Sequence, residues 1–124
     1  MSTHLRVTLV QTELAWQDPA ANRHRLAAHF RGLVGHTDLV VLPETFTSGF
    51  SNEALANAEG MDGPTVAWIR EQAGALGAVV TGSVQIREGE GVYNRLLWAT
   101  PEGQLHTYDK RHLFRMAREH ERYA

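Results

Sequence analysis

Hydrophobic residues in the first third of the chain predict two strands with a helix between them. Residues 5–11 and 37–42 are short runs rich in Val and Leu that end in polar or proline positions, which is typical of buried strands. Between them, apolar residues recur at helical spacing from Asp18-Pro19 to the region of Gly35. This order predicts a βαβ unit with parallel strands.

The remaining pattern predicts a loop, a second helix and three further strands. Residues 45–62 show little periodicity, and we expect an ordered loop there with one short helix near residues 52–58. A helix with one apolar face is predicted from Gly63-Pro64 to Gly77. Turns containing glycine or proline then separate three apolar segments. These segments predict an antiparallel meander of strands at residues 78–86, 92–99 and 105–108.

The composition narrows the class of protein. A chain of 124 residues with 43% hydrophobic and 21% charged residues is typical of one globular domain, and the sequence shows no internal boundary. A net charge of -2 gives no reason to expect a nucleic acid or a membrane as a partner. The N-terminus lacks the features of a secretory signal, and no apolar run reaches the roughly 20 residues of a membrane helix. We therefore expect a cytoplasmic protein.

The chain contains no cysteine. This excludes disulfides, thiolate metal ligands and a cysteine nucleophile within these residues. The sequence has seven histidines, but their spacing fits neither a helical His-x-x-x-His pair nor a zinc finger. We therefore expect neither a metal nor an organic cofactor.

Two charged residues directly follow predicted strands. Glu44 comes after Pro43, which ends the second strand, and Lys110 comes after the last strand. Open α/β sheets bind ligands at the carboxyl ends of their strands, and a lysine in a cleft can balance the charge of a developing oxyanion. Each residue taken alone has a simpler interpretation, as a solvated loop glutamate or a surface lysine.

The two residues lie in a series of strings spread along almost the whole chain. The strings are Gln11-Thr12, Leu42-Pro43-Glu44-Thr45-Phe46-Thr47-Ser48-Gly49-Phe50, Met61-Asp62-Gly63-Pro64-Thr65 with Trp68, Gly82-Ser83, Tyr93-Asn94-Arg95-Leu96 and Tyr108-Asp109-Lys110-Arg111-His112-Leu113-Phe114. This series resembles the nitrilase superfamily of carbon-nitrogen hydrolases. The glutamate and lysine strings are most similar to the omega-amidase branch, which deamidates 2-oxo acid amides such as 2-oxoglutaramate.

The resemblance implies a Glu-Lys-Cys triad. A thiolate attacks the amide carbonyl, and Lys110 would stabilise the tetrahedral oxyanion that results. Glu44 would take the thiol proton, pass it to the leaving ammonia and then activate the water that hydrolyses the thioester. In the family the cysteine lies on the strand after a second glutamate. We therefore expect it beyond residue 124, and we expect these residues alone to be inactive.

The resemblance also suggests supporting residues. Family members carry a second glutamate shortly after the lysine string, and Glu119 or Glu121 could match it; we prefer Glu119. Phe46 and Phe50 flank Glu44, and they either line the substrate pocket or pack in the core. Asn94 is expected to support Glu44 through a hydrogen bond.

The fold implied by the resemblance is a four-layer αββα sandwich within the α/β class. Residues 1–124 would be the N-terminal part of a single carbon-nitrogen hydrolase domain and would supply strands of both sheets and two outer helices. The implied partners are a small amide substrate and either a second copy in a homodimer or the missing C-terminal half, because half a sandwich exposes apolar sheet surface.

Two other classes of protein remain open at this point. The chain could be a non-catalytic truncated remnant or assembly subunit with a nitrilase-like fold, because a fold does not guarantee an activity. It could also be an unrelated α/β binding module. A continuation of the reading frame with a cysteine on the next apolar strand would favour the enzyme.

Overall fold

The structure is a computed structural model that describes residues 4–49, 54–113 and 119–124. The elements in chain order are β1 (Val7–Leu9), α1 (Pro19–Phe30), β2 (Leu39–Val41), α2 (Ala54–Asn57), α3 (Pro64–Leu76), β3 (Val79–Glu88), β4 (Gly91–Ala99), β5 (Leu105–Asp109) and a short 3-10 helix (Glu119–Glu121). All the elements predicted from the sequence are present, with boundaries that differ by a few residues.

The five strands form one sheet in the order β1-β2-β3-β4-β5. Strands β1, β2 and β3 are parallel, with Leu39 of β2 paired to Val79 of β3. Strands β3, β4 and β5 are antiparallel, with Arg95 of β4 paired to Asp109 of β5. The predicted parallel βαβ unit and the predicted antiparallel meander are therefore both confirmed.

The expectation that the chain supplies strands to two sheets is wrong for the residues that the structure describes. Strand β4 pairs with β3, and β5 pairs with β4, so both strands belong to the same sheet as β1 to β3. Tight turns favour this pairing, because a short connection returns the chain antiparallel beside the strand it has just left.

The two long helices begin as predicted, and one ends earlier than predicted. Helix α1 starts at Pro19 behind Asp18, whose side chain accepts a hydrogen bond from the Ala21 N–H. It ends at Phe30, because the following residues form turns instead of continuing the helix. Helix α3 stops at Gly77, which has a φ of 66° and is a good helix terminator. Among the described residues, no helix is long and apolar enough to cross a lipid bilayer.

The two faces of the sheet differ in what covers them. Helices α1 and α3 pack against one face, the core face, where Val80, Val84 and Leu97 are fully buried. Side chains alternate between faces along a strand, so the neighbours of these residues point to the opposite side, the open face. On the open face Leu96 and Trp98 are more than a third exposed.

Candidate active site

Glu44 lies in a loop that runs beside β3. The Thr45 N–H donates to the Ser83 side-chain oxygen at 2.8 Å, and the Phe46 N–H donates to the Ser83 carbonyl at 3.2 Å. Pro43 has no N–H to continue the strand, so the chain leaves the sheet at this point. The loop that carries the acid therefore continues beside β3 beyond the end of β2.

Thr45, directly after Glu44, has a backbone conformation that a β-branched residue rarely adopts. Its φ is 47°, in the left-handed region. The residue is fully buried, and its carbonyl accepts hydrogen bonds from the N–H groups of Ser48 at 3.1 Å and Gly49 at 3.0 Å. Such a conformation costs about 1–3 kcal/mol and persists only where the surroundings fix it, often at functional sites.

Two buried polar side chains anchor this loop. Asn22 of α1 is fully buried and donates to the Thr47 carbonyl at 2.7 Å, while it exchanges two hydrogen bonds of 2.7 Å with the backbone of Ala15. Gln85 of β3 is also fully buried and donates to the Ser48 hydroxyl at 2.8 Å. The loop that carries Glu44 is therefore anchored to a helix and to a central strand.

Lys110 follows β5, and its side chain reaches Glu44. Its N–H donates to the Asn94 carbonyl at 2.9 Å, which continues the pairing of β5 with β4. Its Nζ lies 2.9 Å from Oε2 of Glu44. The Asn94 Nδ2 donates to the same oxygen at 2.8 Å. The hydrogen bond predicted from Asn94 to Glu44 is present.

The geometry of the sheet explains how two residues 66 positions apart meet. The Glu44 loop lies beside β3 on the β2 side, and Lys110 leaves the end of β5, so β3 and β4 separate the two backbones. An extended lysine and a glutamate together span this gap above β4. The acid and the ammonium therefore meet on the open face.

The pair stands at a cavity of about 370 Å³ on the open face. Most of the wall is apolar, and three of its polar side chains, Glu44, Asn94 and Lys110, are joined by hydrogen bonds. The cavity is lined by Val41, Leu42, Glu44, Thr81, Gly82, Ser83, Asn94, Leu96, Tyr108 and Lys110. A pocket with apolar walls and a few convergent polar groups is typical of a small-molecule site.

The stability of the fold does not explain this pair. The side chain of Lys110 is 29% exposed and that of Glu44 is 43% exposed. Ion pairs that exposed contribute about 0–1 kcal/mol to stability. A charged pair supported by a buried asparagine and by a strained, anchored loop is better explained by chemistry in the cavity.

Phe46 does not line the cavity. It is fully buried, and its ring packs against Trp68 with 5.7 Å between centroids. Of the two interpretations of Phe46, packing in the core is the one that the structure shows. The reason is that the loop turns after Glu44 and sends the next large side chain through to the core face. Phe50 lies outside the described residues.

The second glutamate remains a prediction. Glu119 begins the short 3-10 helix. Glu121 ends the same helix and is exposed. The preference for Glu119 over Glu121 is therefore untested.

The sequence interpretation missed several residues that hold the site in place. Asn22 could have been found, because it lies on the apolar face of α1, four positions before Leu26. Ser83 could not, because its bond to Thr45 depends on the path of a loop. The contact of Arg95 with Asp109 depends on the register of two strands.

Comparisons with known proteins identify the family of this chain. The family model for carbon-nitrogen hydrolases matches residues 6–124. The chain is 44% identical over 119 residues to the omega-amidase YafV of Escherichia coli (strain K12), covering 96% of this chain and 46% of that protein. It is 31% identical over 117 residues to the 2-oxoglutaramate amidase of Bacillus subtilis (strain 168), covering 92% and 45%. The chain thus spans about half the length of the curated relatives it matches.

A solved structure shows the same fold. The crystal structure of XC1258 from Xanthomonas campestris, a CN-hydrolase superfamily protein with an arsenic adduct in its active site, matches with a TM-score of 0.94 and 65% identity. The match covers 97% of this chain and 45% of that one. The predicted α/β fold of the nitrilase type is confirmed, and the chain belongs to the carbon-nitrogen hydrolase family.

Proposed function

We propose that these residues are the N-terminal part of an omega-amidase-like hydrolase that releases ammonia from a small 2-oxo acid amide. The observation that carries the proposal is that Lys110 Nζ and Asn94 Nδ2 both lie within 2.9 Å of Oε2 of Glu44 in the wall of the cavity. Two relatives with the printed names omega-amidase and 2-oxoglutaramate amidase support the choice of substrate class. The nucleophilic cysteine would lie on the part of the protein that follows residue 124.

In the proposed reaction, Glu44 accepts the proton of the cysteine thiol, and the sulfur attacks the amide carbonyl carbon. The carbonyl π electrons move to the oxygen, and the Lys110 ammonium stabilises the resulting negative charge. The carbon-nitrogen bond then breaks while Glu44 returns the proton to the leaving ammonia. Water attacks the thioester with Glu44 as base, which releases the acid and restores the thiol.

The hydrogen bonds described above suit these roles. Lys110 and Asn94 both bond Oε2 of Glu44, so the carboxylate is oriented before a substrate arrives. The ammonium is a compact charge on a flexible stem, and it can turn from the carboxylate towards an oxyanion nearby. The cavity of about 370 Å³ lies within the range for small-molecule pockets.

The open face supports a further part of the proposal. Its exposed apolar side chains, Leu96, Trp98 and Tyr108, form a surface that is unusual for an isolated domain. We propose that the rest of the protein covers this face, that the complete protein is a cytoplasmic homodimer, and that the 124 residues alone are inactive.

The experiment is the Lys110→Ala substitution in the full-length protein. Ammonia release is measured with a panel of 2-oxo acid amides and simple amides. We expect kcat to fall by about 10²–10³-fold, because loss of an oxyanion-stabilising group has an effect of this size. The Arg70→Ala variant is the control, since it removes a surface cation that bonds the Gly103 carbonyl away from the cavity.

Two results would contradict the proposal. Near-normal turnover by the Lys110→Ala protein would exclude the oxyanion role of this lysine. A full-length wild-type protein that hydrolyses none of the amides would favour a non-catalytic remnant or assembly subunit.

A further inference from the structure

Arg95 is an unusual residue on the core face of β4. It is only 7% exposed, and its strand partner on β3 is the fully buried Val84. Its Nε donates to Oδ1 of Asp109 at 2.6 Å, and its Nη2 donates to Oδ2 at 3.1 Å. Nη2 also donates to Oε2 of Glu88 at 3.0 Å, and the guanidinium lies 5.3 Å from the ring centroid of Tyr93.

The main effect of the pairing between Arg95 and Asp109 is to fix the position of Asp109, and its contribution to stability is small. A planar guanidinium that bonds both oxygens of a carboxylate fixes the direction as well as the distance of its partner. The Asp109 and Glu88 side chains are 39% and 62% exposed, and ion pairs with such exposed partners add little to stability. The hydrogen bonds to Asp109 and then to Glu88 raise the pKa of Arg95 above its usual value, so it stays charged wherever the protein is folded.

The two neighbouring residues of β4 act on opposite faces of the sheet. Asn94 points to the open face, where it bonds Glu44, and its carbonyl accepts the Lys110 N–H. Arg95 points to the core face and bonds Asp109, the residue before Lys110. The peptide that carries the ammonium is therefore held from both sides.

We propose that Arg95 and Asp109 form a positioning clamp that fixes the direction in which Lys110 leaves β5 and so holds its ammonium against Glu44. The catalytic consequence of the clamp rests on the proposed function. Neither member touches the substrate cavity, so both act only through Lys110. Without the clamp, the Asp109 side chain no longer fixes the end of β5 from the core face, and the ammonium samples positions further from the reacting carbonyl.

The test is the Asp109→Ala substitution in the full-length protein, with Asp38→Ala as the matched control. Asp38 forms a similar two-oxygen pair with Arg6, with bonds of 3.2 and 3.0 Å, next to β1 and β2 and away from the cavity. The Asp109→Asn variant is an intermediate, since it keeps one acceptor oxygen for Arg95. It also keeps the test sound if the alanine variant folds poorly.

We expect Asp109→Ala to lower kcat by about 10–100-fold, because a displacement of about 1 Å at a catalytic group can have an effect of this size. KM should change by less than about threefold, since the cavity wall is intact, and Asp109→Asn should fall between wild type and Asp109→Ala. The Asp38→Ala protein should keep the wild-type kcat. Equal losses of kcat in the Asp109 and Asp38 alanine variants would overturn the clamp.

A second measurement does not depend on turnover. Lys110 is the only lysine among the 124 residues, so peptide mass spectrometry can follow its acylation by an amine-reactive ester without interference from another lysine of this chain. Release of the ammonium from Glu44 should speed this acylation several-fold in Asp109→Ala and leave it unchanged in Asp38→Ala. An unchanged rate in Asp109→Ala would also overturn the clamp.

The two measurements separate the clamp from the proposed function. If the wild-type protein hydrolyses no amide but Lys110 acylation rises in Asp109→Ala, the clamp stands and the proposed function fails. If Lys110→Ala abolishes turnover and Asp109→Ala has neither effect, the proposed function stands and the clamp fails.

Discussion

Gly82, in the floor of the cavity, is the position where one added methyl group tests the packing beneath the site. A Cβ atom built there would lie 2.8 Å from Cβ of Leu42 and 2.8 Å from Cδ1 of Phe46. Carbon atoms in contact are normally about 3.5–4.0 Å apart, so something must move. The Leu42 Cβ is attached to the backbone and cannot rotate away, and the Phe46 ring is fully buried against Trp68.

The size of the effect follows from two opposing terms. Overpacking a closed core costs about 1–3 kcal/mol, and replacing glycine by alanine in a strand recovers about 0.5–1 kcal/mol. Two contacts as short as 2.8 Å place the overpacking cost in the upper part of its range, about 2–3 kcal/mol, so we expect Gly82→Ala to lower the free energy of unfolding by about 1–2.5 kcal/mol. Gly74 of α3 is the control, because no atom lies within 4 Å of a Cβ built there. We expect Gly74→Ala to raise the free energy of unfolding by about 0.5–1 kcal/mol.

The assay is urea denaturation of the full-length variants, with the slope and the midpoint both fitted. Ammonia release should also fall in Gly82→Ala, since a shift of Phe46 moves the loop that carries Glu44. A Gly82→Ala protein as stable as the wild type would show that the core absorbs the methyl group and would refute the packing argument. A Gly74→Ala protein that loses stability would show that glycine at an exposed helix position has a role not seen in its contacts.

Two further predictions concern the polar contacts. Asn22→Ala removes three hydrogen bonds of 2.7 Å and leaves the buried Thr47 carbonyl and the part-buried Ala15 backbone without these partners. The free energy of unfolding should therefore fall by about 2–4 kcal/mol in urea denaturation, and a loss below about 1 kcal/mol would contradict this. The hydrogen bond from Arg95 holds the pKa of Glu88 in the folded protein below its usual 4.5. The ionised Glu88 side chain therefore contributes to the stability of the fold above pH 4.5, and this contribution is lost as the pH falls through the lowered pKa of the folded protein. Between about pH 6 and about pH 3, the urea midpoint should therefore fall less for Glu88→Gln than for the wild type, and equal falls would exclude this contribution.

Local patterns in the sequence were sufficient to predict the order and type of the elements. Helical spacing, the cap at Asp18 and the stop at Gly77 depend only on near neighbours along the chain. The lengths of the parallel strands could not be predicted in this way. An apolar run was predicted as strand over residues 37–42, but only Leu39–Val41 pairs, because the ladder with β3 covers Val79 to Thr81 alone.

The site was predictable in part for a similar reason. Glu44 and Lys110 could be identified because each follows a strand end, and strand ends can be read from local composition. The Arg95 contact could not, because it requires the register between β4 and β5. The assignment of all strands to one sheet also requires knowledge of which edges pair, and this is decided by contacts far apart in the sequence.

The central position of β3 has a consequence for the order in which the site can assemble during synthesis. Glu44 leaves the ribosome long before Lys110, yet its loop is tied to Ser83 and Gln85 of β3. A nascent chain shorter than about 85 residues therefore contains the acid without the surface that positions it. The antiparallel meander forms from contacts between near neighbours, which generally fold faster than distant parallel pairings. We expect Lys110 to reach its position when the meander forms from neighbouring strands. Glu44 should reach its position more slowly, when the first βαβ unit docks onto β3.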